Sequence, residues 1–321
     1  MKLGVCSAVY GDLPLEEALE KFHALGIESI EIFSGGDGVT PHMNIPELLE
    51  SERSRQNYMD LLRRWGMQIG SLNATGNPVH PMEEVRRRAH DGFVRTVRLA
   101  ELLGIDTVVV FSGTPGGSPR DVTPNWITCP WPDEYSEMLE YQWNDVLIPY
   151  WQKAAAIARD HGVKKIGFEM HPGFCVYNPE TLRRLRNAVG DEIGSNFDPS
   201  HLMWQGMDAS LAALELRDCI FSVHAKDVFV NEDYILRNGV NDGKHYENLL
   251  TRAWTFRTVG YGHGFEMWKK LISTLAMIGY DGAINIEHED ALFSRAEGLK
   301  KASTFLSGIL RREPPEAMWW A

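Results

Sequence analysis

The chain has 321 residues, 44% of them hydrophobic and 24% charged, with a formal net charge of −12. Those proportions are ordinary for a globular protein with one large core. The acidic balance argues against nucleic acid or an anionic membrane as partner, because both demand a basic surface. No run approaches the roughly 20 apolar residues needed to cross a bilayer, and the opening MKLGVCSAVYGD does not read as a secretion signal. Cys6, Cys129, Cys175 and Cys219 are scattered with no CxxC pair, the pattern of reduced thiols in a cytoplasmic protein.

Short runs rich in Val, Ile or Phe predict strands over 2–8, 28–33, 67–72, 106–112, 165–171, 193–198, 220–225 and 283–288. Helical spacing fills much of the space between them. LEEALEKFHALG (15–26) stops on Gly26, and VRRRAHDGFVRTVRLAELLG (85–104) and YWQKAAAIARDHG (150–162) end the same way. WKKLISTLAMIGY (268–280) and AEGLKKASTFLSGILRR (296–312) complete the series. Alternating β and α units imply a parallel sheet. Eight such units in one chain of this length predict a single (β/α)8 TIM barrel over residues 1–321 rather than an open sheet.

Two long loops are expected, 113–142 after strand four and 226–264 after strand seven. They hold Trp126, Trp131, Trp254, Tyr261 and His263, too aromatic a content for disorder, and read as substrate walls. The tail PPEAMWWA is expected either to pack on a neighbouring subunit of a homo-oligomer or to fold back on its own barrel.

Four residues at the ends of apolar runs stand out. They are Glu169 in KKIGFEMHPG, Asp198 in IGSNFDPSH, His224 in CIFSVHAKD and Glu287 in GAINIEHED. Catalytic groups of such barrels sit at the C-terminal ends of strands, and the first three of these are spaced by one βα repeat each. Three carboxylates and an imidazole make a hard, oxygen-rich ligand set, suited to a divalent ion such as Mn²⁺ or Mg²⁺ rather than a structural zinc. Side chains alternate along a strand, so His171 shares a face with Glu169, Asn196 with Asp198, and Glu289 with Glu287. Any one of these residues alone would more often be a solvated or ion-paired group; four in register are harder to dismiss.

FEMHPG, NFDPSH, VHAKD and IEHED, with GNPVHP (76–81), PNWITCPWP (124–132) and RTVGYGHG (257–264), resemble the sugar-phosphate isomerase/epimerase family, the xylose-isomerase-like barrels, over nearly the whole chain. The resemblance implies one divalent ion held by Glu169, Asp198, His224 and Glu287, with Mn²⁺ preferred and Mg²⁺, Co²⁺ and Zn²⁺ as alternatives. By similarity to the ketose 3-epimerases of that superfamily, Glu169 and Glu287 would also move the proton. His201 corresponds to a substrate-contacting or second-metal histidine. The related DNA-repair enzymes need further histidines, where this chain has Asn73 and Ser112.

The expected activity is therefore metal-dependent isomerisation or epimerisation of a small carbohydrate, moving a proton next to a carbonyl through an enediolate. One alternative is a lyase cleaving 3-keto-glycosides by β-elimination, with His171 near the leaving atom. Another is a sugar-binding barrel without turnover. His171, His201 and Arg257 are the favoured substrate contacts. Trp126 offers an apolar face and His263 a further polar contact, and Glu31, His42, Asn73 and His80 are weaker candidates. Asp227 is expected to hold the following loop or to orient a ligand.

Overall fold

The computed structural model describes residues 1–35, 42–314 and 316–320. The described residues form ten strands: β1 (Lys2–Cys6), β2 (Ser29–Phe33), β3 (Gln68–Asn73), β4 (Thr107–Val110), β5 (Lys165–Glu169), β6 (Ile193–Phe197), β7 (Ile220–Ala225), β8 (Asp227–Val230), β9 (Trp254–Arg257) and β10 (Ala283–Ile286). Eight of them form a closed parallel barrel in the order β1-β10-β7-β6-β5-β4-β3-β2. Closure comes from β1 against β10, in the register Lys2 with Ala283 through Val5 with Ile286. The expected (β/α)8 barrel is what the chain forms.

The expected helices lie at Leu15–Ala24, Glu83–Leu103, Ile148–Asp160, Phe265–Met277 and Arg295–Ser307. Others carry weaker signals. Glu52–Arg64 (ERSRQNYMDLLRR) buries only Leu62 fully, so its apolar stripe is too thin to read. Pro179–Val189 is announced by a reciprocal Asn178–Thr181 cap instead of by a long apolar pattern. Large side chains weld helices to strands: the Trp151 ring packs at 4.6 Å on Phe168 of β5, and its indole N–H donates to the Ser112 carbonyl at 2.9 Å. That anchors the C-terminal ends of β4 and β5, where the site begins.

Both expected long loops carry structure of their own, which corrects the sequence reading. Residues 134–140 form a helix that runs into a π-helical turn at 141–147. Residues 226–264 contain the antiparallel hairpin β8–β9, with the helix Glu232–Asn238 between its strands. The hairpin has a period of two: Val228 pairs with Phe256 on a buried face, while Phe229 is 46% exposed. Four-residue strands are too short for their alternation to stand out from a loop. Among the described residues, no helix is long and apolar enough to cross a membrane.

Candidate metal centre at the barrel mouth

Four barrel strands deliver the four expected ligands to one point. Glu169 is the last residue of β5, Asp198 follows β6, His224 lies near the end of β7 and Glu287 follows β10. One ligand atom from each lies within 4.8 Å of all the others. Glu169, Asp198 and His224 are at most 3% exposed. Strand ends place them: in a parallel barrel the backbone carries each side chain to the same rim whatever the sequence separation.

The donor set fits a cation. His224 Nδ1 is 3.2 Å from Glu287 Oε2 and 3.5 Å from Glu169 Oε2, yet forms no hydrogen bond. Asp198 uses Oδ1 to cap the following helix by accepting from the Ser200 amide at 2.9 Å, which turns Oδ2 into the cluster, 3.0 Å from Lys226 Nζ. A buried ring nitrogen without a hydrogen-bond partner, facing three carboxylates, is what a divalent ion satisfies.

The other face of His224 is held from below. Its Nε2 lies 3.1 Å from Glu31 Oε1. Glu31 in turn accepts from Asn73 Nδ2 at 2.8 Å and from Ser71 Oγ at 2.7 Å. A carboxylate on the distal nitrogen fixes the ring and makes the proximal nitrogen a better ligand. The sequence marks Glu31 and Asn73 as hydroxyl-orienting candidates; the structure places both behind the ligand instead.

A buried lysine completes the cage, and sequence reasoning misses it. Lys226 Nζ is 2.7 Å from Glu287 Oε2, 3.0 Å from Asp198 Oδ2 and 3.1 Å from Glu289 Oε2. Its only signal is its place two residues after His224 on the same face of an extended segment.

The charges set distinct protonation tendencies. Burial, helped by the Glu287 charge, pushes Glu169 up to about 7. Burial would also raise Glu287, but Lys226 and His224 outweigh it and hold that carboxyl well below its ordinary range. Asp198 is held down by Lys226 and His201 against the same burial. Burial opposes charge on His224, yet Cys6, Glu31 and Glu287 together hold its pKa well above normal. Such a cage favours a positive charge at Nδ1, whether proton or metal ion.

His201 and His171 stand above the cluster. His201 Nε2 is 3.1 Å from Glu169 Oε1, and the two imidazole rings are 4.1 Å apart. Both histidines line a cavity at the mouth together with Trp126. The remaining candidates lie apart from that cavity. Arg257 Nε is tied to Asp290 Oδ2 at 3.2 Å. His263 Nδ1 is 2.8 Å from Asp227 Oδ1, and its ring lines a separate groove with Asp208 and Lys270. His80 accepts from the Met82 amide at 3.0 Å within its own turn, and His42 is buried.

Asp227 holds the insertion, as expected. Its Oδ2 accepts from the amides of Gly260, Gly262 and His263 and from the Trp268 indole, at 2.9 to 3.2 Å. At Gly262 a Cβ would come within 2.2 Å of the Val228 carbonyl oxygen, so only glycine allows this approach.

Comparison with known proteins bears on the barrel as a whole. A family model described as xylose isomerase-like TIM barrel matches residues 19–309. The chain belongs to that family. It is 41% identical over 302 residues to the uncharacterized protein YfiH of Bacillus subtilis, covering 94% of this chain and 96% of that protein. Among solved structures, the probable 3-DHS dehydratase AsbF of Bacillus anthracis superposes with a TM-score of 0.65 at 14% identity, over 96% of this chain and 99% of that one. The 3-keto-D-glucoside 4-epimerase YcjR of E. coli gives 0.64 at 14% identity, over 96% and 99%. At such identities the two structures establish the shared barrel alone.

Proposed function

We propose that this chain is a metal-dependent sugar isomerase or epimerase that moves a proton on the carbon next to a carbonyl. The observation that carries the reading is the cluster of Glu169, Asp198, His224 and Glu287 within 4.8 Å, with His224 Nδ1 buried and not hydrogen-bonded. These four residues would hold one divalent ion, for which the oxygen-rich set prefers Mn²⁺, with Mg²⁺, Co²⁺ or Zn²⁺ also accepted. When bound, the ion supplies Lewis acidity toward a sugar carbonyl and its neighbouring oxygen.

The residues then divide the work. Glu169, pushed up to about 7 by burial, is the carboxyl that holds a proton near neutral pH and is suited to return it to the carbon. His201 fixes its Oε1 and orients the carboxyl. Glu287, kept ionised by Lys226 and His224 and carried on the other side of β7 from Glu169, would take the proton from the opposite face of the carbon. Two carboxyls with opposite tendencies, one raised and one lowered, are the usual signature of paired acid and base roles. His171 would contact the reacting sugar, and Trp126, which lines the same cavity, a sugar ring or aglycone. Arg257 and His263 would support the rim.

A second reading, elimination from a keto-glycoside, begins with the same proton abstraction. The aromatic rings around the mouth favour keeping it, since a bare small sugar does not need them. The test is solvent deuterium incorporation by NMR with Mn²⁺-loaded protein and a panel of ketoses, an inosose and 3-keto-glycosides. Exchange at one carbon with formation of an epimer or isomer supports the proposal. Release of an aglycone with an unsaturated keto sugar replaces it with the elimination reading. Absence of exchange across the panel in metal-loaded protein overturns proton transfer in favour of a binding barrel.

A further inference from the structure

Two cavities open side by side at the barrel mouth and share a wall made by His171, Tyr246 and Phe256. The smaller, about 280 Å³, also borders Glu289. Glu289 lies 3.1 Å from Lys226 Nζ, which is 2.7 Å from Glu287, so this chamber adjoins the Glu287 side of the cluster. The larger, about 410 Å³, borders His201, 3.1 Å from Glu169, and so adjoins the opposite side. Phe256 is the seated part of the shared wall, and Tyr246, 51% exposed, is its open edge. Phe256 is 9% exposed, its ring 5.3 Å from the His201 ring and 4.7 Å from Lys226 Nζ. Tyr246 and Phe256 both come from the 226–264 insertion.

The chambers differ in chemistry. The smaller presents a carboxylate and a threonine hydroxyl beside its aromatic wall. The larger is walled by Trp126, Trp204 and Trp254, with Asp242 and Asn241 at its edge. Trp204 and Trp254 are stacked at 4.5 Å. The indole N–H groups of Trp126 and Trp204 are buried and meet no acceptor among the described residues, whereas the Trp254 indole donates to the Val240 carbonyl at 3.2 Å. Buried donors without partners are uncommon, and two belong to residues that line this chamber. Aromatic faces with a few polar groups are the lining that small-molecule sites use, and the larger chamber falls within their usual size range, with the smaller just at its lower edge.

We infer that the two chambers take the two rings of one glycoside. The reacting sugar ring lies in the Glu289 chamber, and a second hydroxylated ring lies against Trp126 and Trp254. The glycosidic oxygen passes over the exposed edge of the shared wall beside His171. The identity of the reacting ring rests on the proposed function; the second-ring subsite rests on the chamber itself.

The experiment is calorimetric titration of the Mn²⁺-loaded protein with glucose, with the disaccharides cellobiose, maltose and trehalose, and with phenyl β-glucoside. At least one disaccharide should bind tenfold or more tightly than glucose. Trp126→Ala should remove that preference, and Trp126→Phe, which keeps a ring but not the N–H, should retain part of it. Bound Mn²⁺ measured in each variant confirms an intact barrel. Equal affinity for glucose and every disaccharide overturns the inference, as does tighter binding of the phenyl glucoside than of any disaccharide. Because binding is read without turnover, a disaccharide preference in protein that exchanges no proton keeps the subsite and removes the proton-transfer reading. Exchange without such a preference does the reverse.

Discussion

Glu31 and His224 are 193 positions apart and meet at 3.1 Å, carboxylate against the imidazole nitrogen that faces away from the ligand cluster. The contact sets the ring's angle and tautomer. Removing it should be felt at the metal even though Glu31 is outside the four-ligand cluster. Glu31→Ala should weaken Mn²⁺ binding by about 10- to 100-fold, and Glu31→Gln, which keeps an acceptor without the charge, by less. Competition against a fluorescent chelator measures both, and unchanged affinity in Glu31→Ala would show that His224 is held by packing alone.

The two glutamates of the cluster are assigned the proton. Glu287→Gln is isosteric and should lower exchange at the sugar carbon by at least about 10²- to 10⁴-fold. Glu169→Gln should do the same. A Glu287→Gln protein that still epimerises at the normal rate contradicts the two-base scheme.

Lys226 balances three carboxylates inside the cage. Lys226→Met should destabilise the metal-free protein by about 3 kcal/mol, the lower end of the cost of stripping one partner from a buried ion pair, because Glu289 is half-exposed. Added Mn²⁺ should recover part of the loss by supplying positive charge to Asp198 and Glu287. Thermal melts with EDTA and with Mn²⁺ give the comparison. A variant equally destabilised in both would mean that the lysine's packing against Phe256, not its charge, is what matters.

Asp227 gathers three amides and an indole on one oxygen. Asp227→Ala leaves those donors unmet, at about 1–3 kcal/mol for each that stays buried. Denaturant titration should report a loss of at least about 3 kcal/mol, and limited proteolysis should find new cleavage within 226–264. Gly262→Ala should open the same segment by pressing its Cβ on Val228. Wild-type resistance in both variants would place the anchor elsewhere.

The barrel and the four-residue cluster at its mouth are legible in the sequence because each signal is local. An apolar run predicts a strand, and the acid or imidazole at its end needs no knowledge of the neighbours. Lys226 is not legible in the same way, since a lysine beside an aspartate reads as solvated surface until three carboxylates are placed around it. The role of Glu31 depends on barrel closure, which brings residues from β2 and β7 together across the interior. The hairpin hides in a stretch whose strands have four residues each. Arg257 and His263 are legible as polar residues near the mouth. Their partners, Asp290 and Asp227, come from chain segments whose approach no spacing rule foretells.

His224, Lys226 and Asp227 fall within four consecutive positions, as candidate ligand, as counter-charge and as anchor for the insertion. The 226–264 segment is thus fastened to the barrel near both of its ends by one carboxylate, while the walls it builds lie between. Evolution can exchange that interior for another of different length or aromatic content without disturbing a single strand of the barrel. Diversification of specificity in such a scaffold becomes a matter of swapping a cassette, and the reaction chemistry is inherited unchanged.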